Sequence, residues 1–248
     1  MLRRLADGAR QLSEHDDEPR GLLRITAAHS FGHAILAPLC TPFAQAFPRV
    51  RIELSLSDHY VDIVGDGFDL ALRMGNYDLP SQIVKTIGSN RSLLCASPNY
   101  LARRGRPVVP AELAQYDCVI YRHPTLASTW TFDRDGTRER IEPKGPLATD
   151  NYALALAATL DGAGVLPCPQ WSVVDALEAG RLVPLLTAWR FESASFGEDR
   201  ICAAYPSSRR GSTKLCRLIE RVEAKLADSE ARVARVLGEA ICTDLVLR

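Results

Sequence analysis

The sequence from Leu22 onward alternates short apolar segments with segments of helical periodicity, and this alternation constrains the fold most strongly. Apolar residues at every second position indicate a strand, whereas intervals of three and four indicate a helix. The strand segments are LLRITA (22–27), VRIELSL (50–56) and FDLALRMG (68–75), and the helical ones are PLCTPFAQAF (38–47) and HYVDIVGDG (59–67). This β-α-β-α-β order predicts a parallel sheet covered on both faces, with right-handed crossovers.

The rest of the chain repeats the alternation less regularly. Further strand segments are SLLCASP (92–98), CVIY (118–121), TWTFD (129–133), RERIEP (138–143) and VLPCP (165–169). Residues 150–164 predict an amphipathic helix with Asp150 as its N-cap and glycines at its end. A strand at 199–206 precedes a long helix from Ser212 to about Ala227.

Two α/β lobes account for this order of segments better than one large domain. We therefore expect two Rossmann-like lobes with a ligand cleft between them. The predicted division is a first lobe of residues 21–97 and 204–228, a second lobe of 98–203, and a C-terminal extension of 229–248. In residues 1–20, leucine and alanine recur at steps of three and four, which predicts the end of a linker or dimer helix.

Charge and cysteine content restrict the class of protein further. Thirty basic and thirty acidic residues give a formal net charge of zero, so the chain is a poor candidate for binding nucleic acid. No apolar run reaches the ~18 residues of a membrane span, and the N-terminus lacks a secretory signal, so we expect a cytoplasmic protein. The seven cysteines never form C-x-x-C, which predicts reduced, buried thiols and no zinc site.

The succession of segments resembles the effector-binding part of LysR-type transcriptional regulators, which is similar in fold to type 2 periplasmic solute-binding proteins. The resemblance extends over residues 21–226 and is carried by GLLRITAAHSFGHAILAPL, FAQAFPRVRIELSLSD, VDIVGDGFDLALRMG, DNYALALAATLDGAGVLPCP and YPSSRRGSTK. The winged helix-turn-helix of that family is absent from this sequence. DNA binding would therefore depend on a domain outside this chain.

The resemblance implies a sensor that binds a small effector and controls a dimer or tetramer. A solute-binding protein of the same fold is the alternative, and it would require export. An enzyme is not expected, because G-x-S-x-G, H-E-x-x-H and a Gly-rich phosphate loop are all missing from the sequence. We expect neither a metal nor an organic cofactor. Leu39, Phe43 and Phe47 form an apolar helix face that we expect to contribute to dimerisation.

Ser30 is the main candidate for effector binding in the first lobe. It follows the first strand, at the sheet edge where helix N-termini present N–H groups to ligands. We expect Ser30, the N–H groups that begin with Phe31, and His33 to contact a small anion; the alternative for Ser30 is an ordinary N-cap. Ser57 and Asp58 follow the second strand and belong to the same edge, or else they cap a helix at 59–66.

The second lobe contributes candidates from three loops. Arg122 could neutralise an acidic ligand, and His123 lies next to it. Asn151 would donate to the ligand or cap its helix, and Pro167 belongs to the segment 167–169 that would close over the cleft.

Two further interpretations are weaker. His29 and His33 do not form a zinc pair if Ser30 caps the helix, because His29 then lies outside it, and a third ligand is not evident. Cys168 could be an exposed thiol in the cleft, but a buried thiol is the expected state.

Overall fold

A computed structural model describes residues 18–59, 61–75, 82–123 and 126–246. The predicted helix at the N-terminus therefore lies almost entirely outside the described residues. In chain order the elements are β1 (Gly21–Ala27), α1 (His29–Phe31), a π-helical turn (Gly32–Leu36), α2 (Ala37–Ala46), β2 (Val50–Leu56), β3 (Leu70–Met74), β4 (Gln82–Gly88), β5 (Ser92–Ala96), α3 (Pro98–Arg104), a 3-10 helix (Pro110–Gln115), β6 (Val119–Tyr121), β7 (Trp130–Arg134), β8 (Thr137–Ile141), β9 (Leu147–Thr149), α4 (Tyr152–Leu160), β10 (Leu166–Pro169), α5 (Gln170–Glu178), β11 (Val183–Leu185), β12 (Arg190–Ser193), a 3-10 helix (Ala194–Phe196), β13 (Ile201–Pro206), a 3-10 helix (Ser207–Arg209) and α6 (Thr213–Val246).

The chain divides into two compact units. The first unit comprises the described residues up to Ser89 together with Arg200–Ala227, and the second comprises Asn90–Asp199 and the residues from Asp228 onward. Strand β5, which the sequence placed in the first lobe, pairs antiparallel with β10 and β11 of the second unit.

The sheet of the first unit has the strand order β2-β1-β3-β13-β4. β1 pairs parallel with both β2 and β3, as the sequence predicts. The sheet also contains antiparallel pairs that the sequence did not predict, because β13 pairs antiparallel with β3 and with β4. β13 follows the residues of the second unit in the chain, so its direction is not set by a βαβ crossover.

Two helix predictions in the first unit need correction. Within the segment predicted as a helix, residues 63–67 form turns, because the Asp62 carboxylate accepts hydrogen bonds from the Val64 and Gly65 amides at 3.1 and 3.0 Å. Such a local acceptor competes with helical hydrogen bonds. The helix predicted from residue 38 begins earlier, because α1 and the π-helical turn lead into α2 without interruption.

The second unit contains shorter strands and two apolar helices. β6 and β9 pair in parallel, and a bridge between Cys118 and Val165 joins β6 to the strand β10. β12, β7 and β8 form an antiparallel group. Cys168 is fully buried in the core of this unit, which confirms the expectation of a buried thiol at that position. The same expectation is wrong for Cys216, which is exposed.

The last helix continues well past the predicted end near Ala227. From Asp228 onward it belongs to the second unit, where Val233 is buried in the core. Arg232 binds Asp175 at 2.6 Å and also Glu178, so ion pairs attach this part of α6 to α5. No described helix is long and apolar enough to cross a membrane.

Candidate functional site

Three parallel strands of the first unit end side by side. Ala27 at the end of β1 is paired with Leu56 of β2 and Leu72 of β3, so the residues that follow share one edge of the sheet. The carboxyl edge of parallel strands is the usual ligand-binding edge of α/β folds. We call Thr26, Ser30, Ser57, Asp58 and Arg73 the first-unit edge.

The start of the helix after β1 differs from the prediction in its capping. Ala28 is the N-cap residue and Ser30 lies inside the first turn, so the expectation that Ser30 caps this helix is wrong. The cap comes from another strand end, because the Asp58 carboxylate accepts a hydrogen bond of 3.0 Å from the His29 amide. A carboxylate is stabilised at a helix N-terminus by the positive end of the helix dipole. The capping of this helix therefore leaves the Ser30 hydroxyl out of that role.

The predicted contact residues around Ser30 differ in exposure. Ser30 is half-buried and His33 is exposed on the π-helical turn, whereas Phe31 is fully buried. The side chain of Phe31 therefore serves the core of the first unit. A Cβ atom at Gly32 would overlap the end of the Leu56 side chain, so a larger residue here would require that side chain to move.

Arg73 is a member of this edge that the sequence reasoning missed. It is only 7% exposed, and it donates hydrogen bonds to the Ser57 carbonyl oxygen at 2.7 Å and to the Thr26 hydroxyl at 2.9 Å. A buried guanidinium is costly unless it is hydrogen-bonded, so this residue fixes the ends of three strands relative to one another. An arginine inside the apolar segment FDLALRMG was the signal that could have identified it.

The candidates of the second unit lie near the ends of β6 and β9. Tyr121 pairs with Thr149, and the Arg122 amide donates to the Thr149 carbonyl oxygen at 2.8 Å. The predicted cap Asp150 is wrong: Asn151 is the N-cap of α4, and its side-chain oxygen accepts from the Leu154 amide at 3.0 Å.

The remaining candidates of the second unit differ in solvent exposure. The Arg122 side chain is exposed and His123 is half-buried. Pro167 is buried inside β10, opposite Leu94. Residues 124 and 125 lie outside the described residues. Arg122 is thus the charged group most accessible to solvent among these candidates.

Aromatic rings and thiols pack together in the core of the second unit. The rings of Tyr121 and Phe196 are stacked at 5.4 Å, and the Tyr152 hydroxyl lies 2.8 Å from the Ser172 hydroxyl. Burial raises the pKa of Tyr152 well above its ordinary value. A hydrogen bond with Cys168 raises the pKa of the Cys95 thiol. These groups stay protonated at neutral pH, so they do not supply an ionised nucleophile.

Within the described ranges of the chain, no group of three or more His, Cys, Asp or Glu side chains is placed to hold a metal ion. His29 and His33 occur on one continuous helical segment, with the carboxylate of Asp58 bound to the backbone of the former.

Comparison with known proteins identifies the class to which this fold belongs. The chain is similar to the regulatory protein CrgA of Neisseria meningitidis, a LysR-type transcriptional regulator of known structure, with a TM-score of 0.72 and 26% identity over 90% of this chain and 75% of CrgA. The isolated regulatory domain of CrgA is covered completely, with a TM-score of 0.67. These are mixed α/β regulatory domains with the type 2 periplasmic-binding-protein-like fold, which confirms the predicted fold class.

Sequence comparison then gives the family. Residues 16–227 match the LysR substrate binding domain. The chain is 31% identical over 242 residues to the HTH-type transcriptional regulator PtxR of Pseudomonas aeruginosa, covering 95% of this chain and 74% of PtxR. It is 30% identical to DmlR of Escherichia coli and spans 58% of that relative. The chain belongs to the LysR family and is an effector-binding domain of that family, as the resemblance predicted.

Proposed function

We propose that this effector-binding domain senses a small anionic molecule at the first-unit edge. The Ser30 hydroxyl and the guanidinium of Arg73 supply the hydrogen-bond donors and the positive charge, and His33 contacts the effector from the rim. Asp58 contributes a negative charge next to them. It would accept a hydrogen bond from a hydroxyl or amine group of the effector, so the effector carries a donor group in addition to its anionic group.

The observation that carries this proposal is the position of Arg73. Hydrogen bonds to the carbonyl oxygen of Ser57 and the hydroxyl of Thr26 hold its guanidinium at this edge. Its positive charge is held at low solvent exposure, where Coulombic attraction for an anion is stronger than in bulk water. The charge lies at the carboxyl edge of three parallel strands, where helix N–H groups also point.

Calorimetric titration of small carboxylates tests the proposal. Acetate, succinate and citrate are titrated into the wild-type chain, Ser30→Ala and the control Ser208→Ala. Ser208 is exposed at the opposite edge of the same sheet, beyond the end of β13. We expect Ser30→Ala to weaken binding about fivefold, as for the loss of one hydrogen bond, and Ser208→Ala to leave it unchanged. Equal affinities for all three proteins would remove Ser30 from the site.

Arg122, His123 and Asn151 are proposed as the effector contacts of the second unit, and Pro167 is left out because it is buried inside β10. The strongest support for these contacts comes from Arg122, because its side chain is exposed and positively charged. Arg122→Gln is expected to weaken carboxylate binding, whereas Arg134→Gln, an exposed site on β7, is the control. If Arg122→Gln binds carboxylates with unchanged affinity, Arg122 does not contact the effector and the proposed site is confined to the first unit.

We further propose that the full-length protein is a cytoplasmic, DNA-bound dimer or tetramer whose conformation responds to the effector. PtxR and DmlR are named HTH-type regulators, which supports this proposal. The apolar helix face that motivated the dimer prediction does not: Phe43 is fully buried, and the guanidinium of Arg221 lies 5.4 Å from its ring centre. Sedimentation at micromolar concentration tests the assembly, and a monomer mass would contradict it.

A domain of this family acts by binding, so we also propose that the effector leaves the site chemically unchanged. The buried Tyr152 hydroxyl and Cys95 thiol support this, because burial raises the pKa of Tyr152 and a hydrogen bond with Cys168 raises the pKa of Cys95. Incubation of each carboxylate with the purified chain, followed by NMR of the small molecule, should return the starting compound. A new product signal that depends on the protein would contradict the proposal.

A further inference from the structure

The second unit contains a cavity of about 920 Å³ that the first-unit edge does not share. Its walls come from β5, from β12 and from the loop between β11 and β12, and residues of α5 and α6 complete it. Leu93, Leu185, Phe191 and Phe196 give it apolar surface. Sites for small organic molecules are commonly of this size and are mostly apolar with a few polar groups.

Two polar atoms at this cavity are buried without a hydrogen-bond partner in the described part of the chain. They are the Ser193 hydroxyl and the Trp189 indole nitrogen. Ser193 is only 5% exposed. Buried polar groups almost always have partners, and an unmet donor is costly, so a partner at this position would be strongly favoured.

A second buried serine and a second indole of the same unit have hydrogen-bond partners within the protein. The Ser195 hydroxyl, two residues further on, donates to the Ala127 carbonyl oxygen at 3.1 Å. The indole of Trp171 donates to the Asn90 side-chain oxygen at 3.0 Å. The fold of the second unit can therefore satisfy a buried serine and a buried indole. In the described part of the chain the second unit also leaves the Ser97 hydroxyl without a partner, and Ser97 is not part of the cavity wall. The Ser193 hydroxyl and the Trp189 indole nitrogen are the unmet groups that line the cavity.

The backbone at the cavity is strained at one position. Leu186, which lines the wall, has a φ angle of +53°, a conformation that bulky residues rarely adopt. Non-glycine residues in this region occur preferentially at ligand-binding and active sites. The strain thus accompanies the unpartnered atoms at the same cavity.

The charged residues of the cavity balance one another. Three arginines and three acidic residues line it. Arg91 pairs with Asp199 at 3.1 Å, and Arg190 pairs with Glu192 at 3.0 Å. Because the charges are balanced, the cavity does not favour an ion of either sign.

We propose that this cavity is a second ligand site, which binds an uncharged, largely apolar molecule with a planar ring and a hydrogen-bond acceptor. The acceptor receives the Trp189 indole proton, and an adjacent polar group of the ligand pairs with the Ser193 hydroxyl. Leu185, Phe191 and Phe196 contact the ring. A neutral carboxamide on a benzene ring is the simplest compound with this combination.

Benzamide and benzoate form a matched pair of probes, because they share ring and shape and differ in charge. The indole N–H signals of the three tryptophans are followed by NMR of the whole chain, and Trp189→Phe assigns the signal of Trp189. We expect benzamide to move the Trp189 signal downfield in a saturable way and to leave the Trp171 signal in place. A Trp189 signal that does not move up to the solubility of benzamide would overturn the proposal, and so would an equal response to benzoate.

Two serine variants make the test specific for the cavity. Ser193→Ala should weaken benzamide binding about fivefold, the effect of one lost hydrogen bond. Ser195→Ala is the control two residues away, and it should leave the affinity for benzamide unchanged. Ser30→Ala should also have no effect, so failure at this cavity is distinguishable from failure at the first-unit edge. Equal weakening by Ser193→Ala and Ser195→Ala would overturn the role of Ser193.

Discussion

The two units differ in the kind of polar residue that they bury. In the described part of the chain, the charged residues with low exposure are Asp69, Arg73 and Lys214, and all three belong to the first unit. The buried polar residues of the second unit are neutral: Asn90, Ser97, Thr159, Ser193, Ser195 and Ser229. Buried charges require charged or hydrogen-bonding partners, whereas neutral groups tolerate an apolar surrounding better.

The first unit satisfies its buried charges through contacts between distant segments. Asp69 pairs with Arg209 at 2.9 Å and accepts from the Arg24 amide at 2.8 Å. Arg73 holds Thr26 and the Ser57 backbone at the opposite edge. Because of this difference, the two proposed sites suit different ligands. The first-unit edge, which contains a buried cation, suits an anion, and the cavity of the second unit, where the buried polar residues are neutral, suits a neutral molecule.

The largest expected effect concerns the thiols. Burial raises the pKa of Cys118, in the second unit, to about 12, whereas Cys216 of the first unit is exposed. At pH 9 a thiol with a pKa of about 12 is ionised to only about one part in a thousand, so Cys118 should react with iodoacetamide at least ~100-fold more slowly than the exposed Cys216. Mass spectrometry of peptides after timed alkylation of the folded chain measures both rates. Comparable rates would show that the second unit does not keep this group neutral.

The raised pKa of Cys118 also predicts how the free energy of unfolding changes with pH. The folded chain retains the Cys118 proton between pH 9 and about 12, while the unfolded chain loses it. The unfolded state then binds fewer protons, so this contribution to stability is complete below pH 9 and is lost as the pH rises toward 12. In Cys118→Ala, the decline of unfolding free energy over this pH range should be less steep.

The next largest effect is expected for the buried cation of the first unit. Arg73→Met removes two charge-assisted hydrogen bonds and leaves the Ser57 carbonyl oxygen and the Thr26 hydroxyl without this donor. We expect a loss of about 3 kcal/mol of unfolding free energy, measured by urea denaturation. Arg217→Met is the control, because its ion pair with Glu220 is exposed and should contribute under ~1 kcal/mol. Equal losses would show that burial of the charge does not matter.

Much of the fold was predictable because strand periodicity reflects burial. β1, β2 and β3 occur where the apolar pattern placed them. β1 and β3 bury most of their residues, whereas β2 keeps the apolar pattern although Val50 is its one buried residue. β4 was not identified as a strand because its segment QIVKTIG exposes Lys85 and Thr86 in succession and breaks the alternation. Periodicity thus identifies strands whose exposure alternates regularly or which are fully buried.

The candidate sites were predictable only in part, for a related reason. Ser57 and Asp58 were identified from their position after a strand, but the contact of Asp58 with the His29 amide joins residues 29 positions apart. Arg73 was missed because charge inside an apolar strand has no periodic signature. The cavity of the second unit was missed because its walls come from residues 90–94 and 185–199, which only the folded chain brings together.

A smaller effect is expected at the helix start of the first unit. Asp58→Ala removes the acceptor of the His29 amide and should lower the unfolding free energy by about 1 kcal/mol, whereas Asp58→Asn keeps an acceptor and should cost only a few tenths. Both substitutions remove a negative charge beside the proposed anion site. The affinity for acetate and succinate, which have no donor group for Asp58, should therefore rise severalfold in Asp58→Asn. An unchanged affinity would place the bound anion away from this helix start.

The smallest expected effect is the most informative about the second unit. Ser195→Ala breaks the hydrogen bond to the Ala127 carbonyl oxygen and should lower the unfolding free energy by about 1 kcal/mol. Ser193→Ala removes a hydroxyl that has no partner in the described part of the chain, so its expected change lies within about 0.5 kcal/mol and can be a gain. The two serines are both buried and lie two positions apart, which makes them a matched pair in urea denaturation. A neutral result for Ser193→Ala together with weaker benzamide binding would mean that this hydroxyl serves a ligand instead of the fold. A loss equal to that of Ser195→Ala would mean that Ser193 has a structural partner, and the neutral cavity would then lack the donor pair proposed for it.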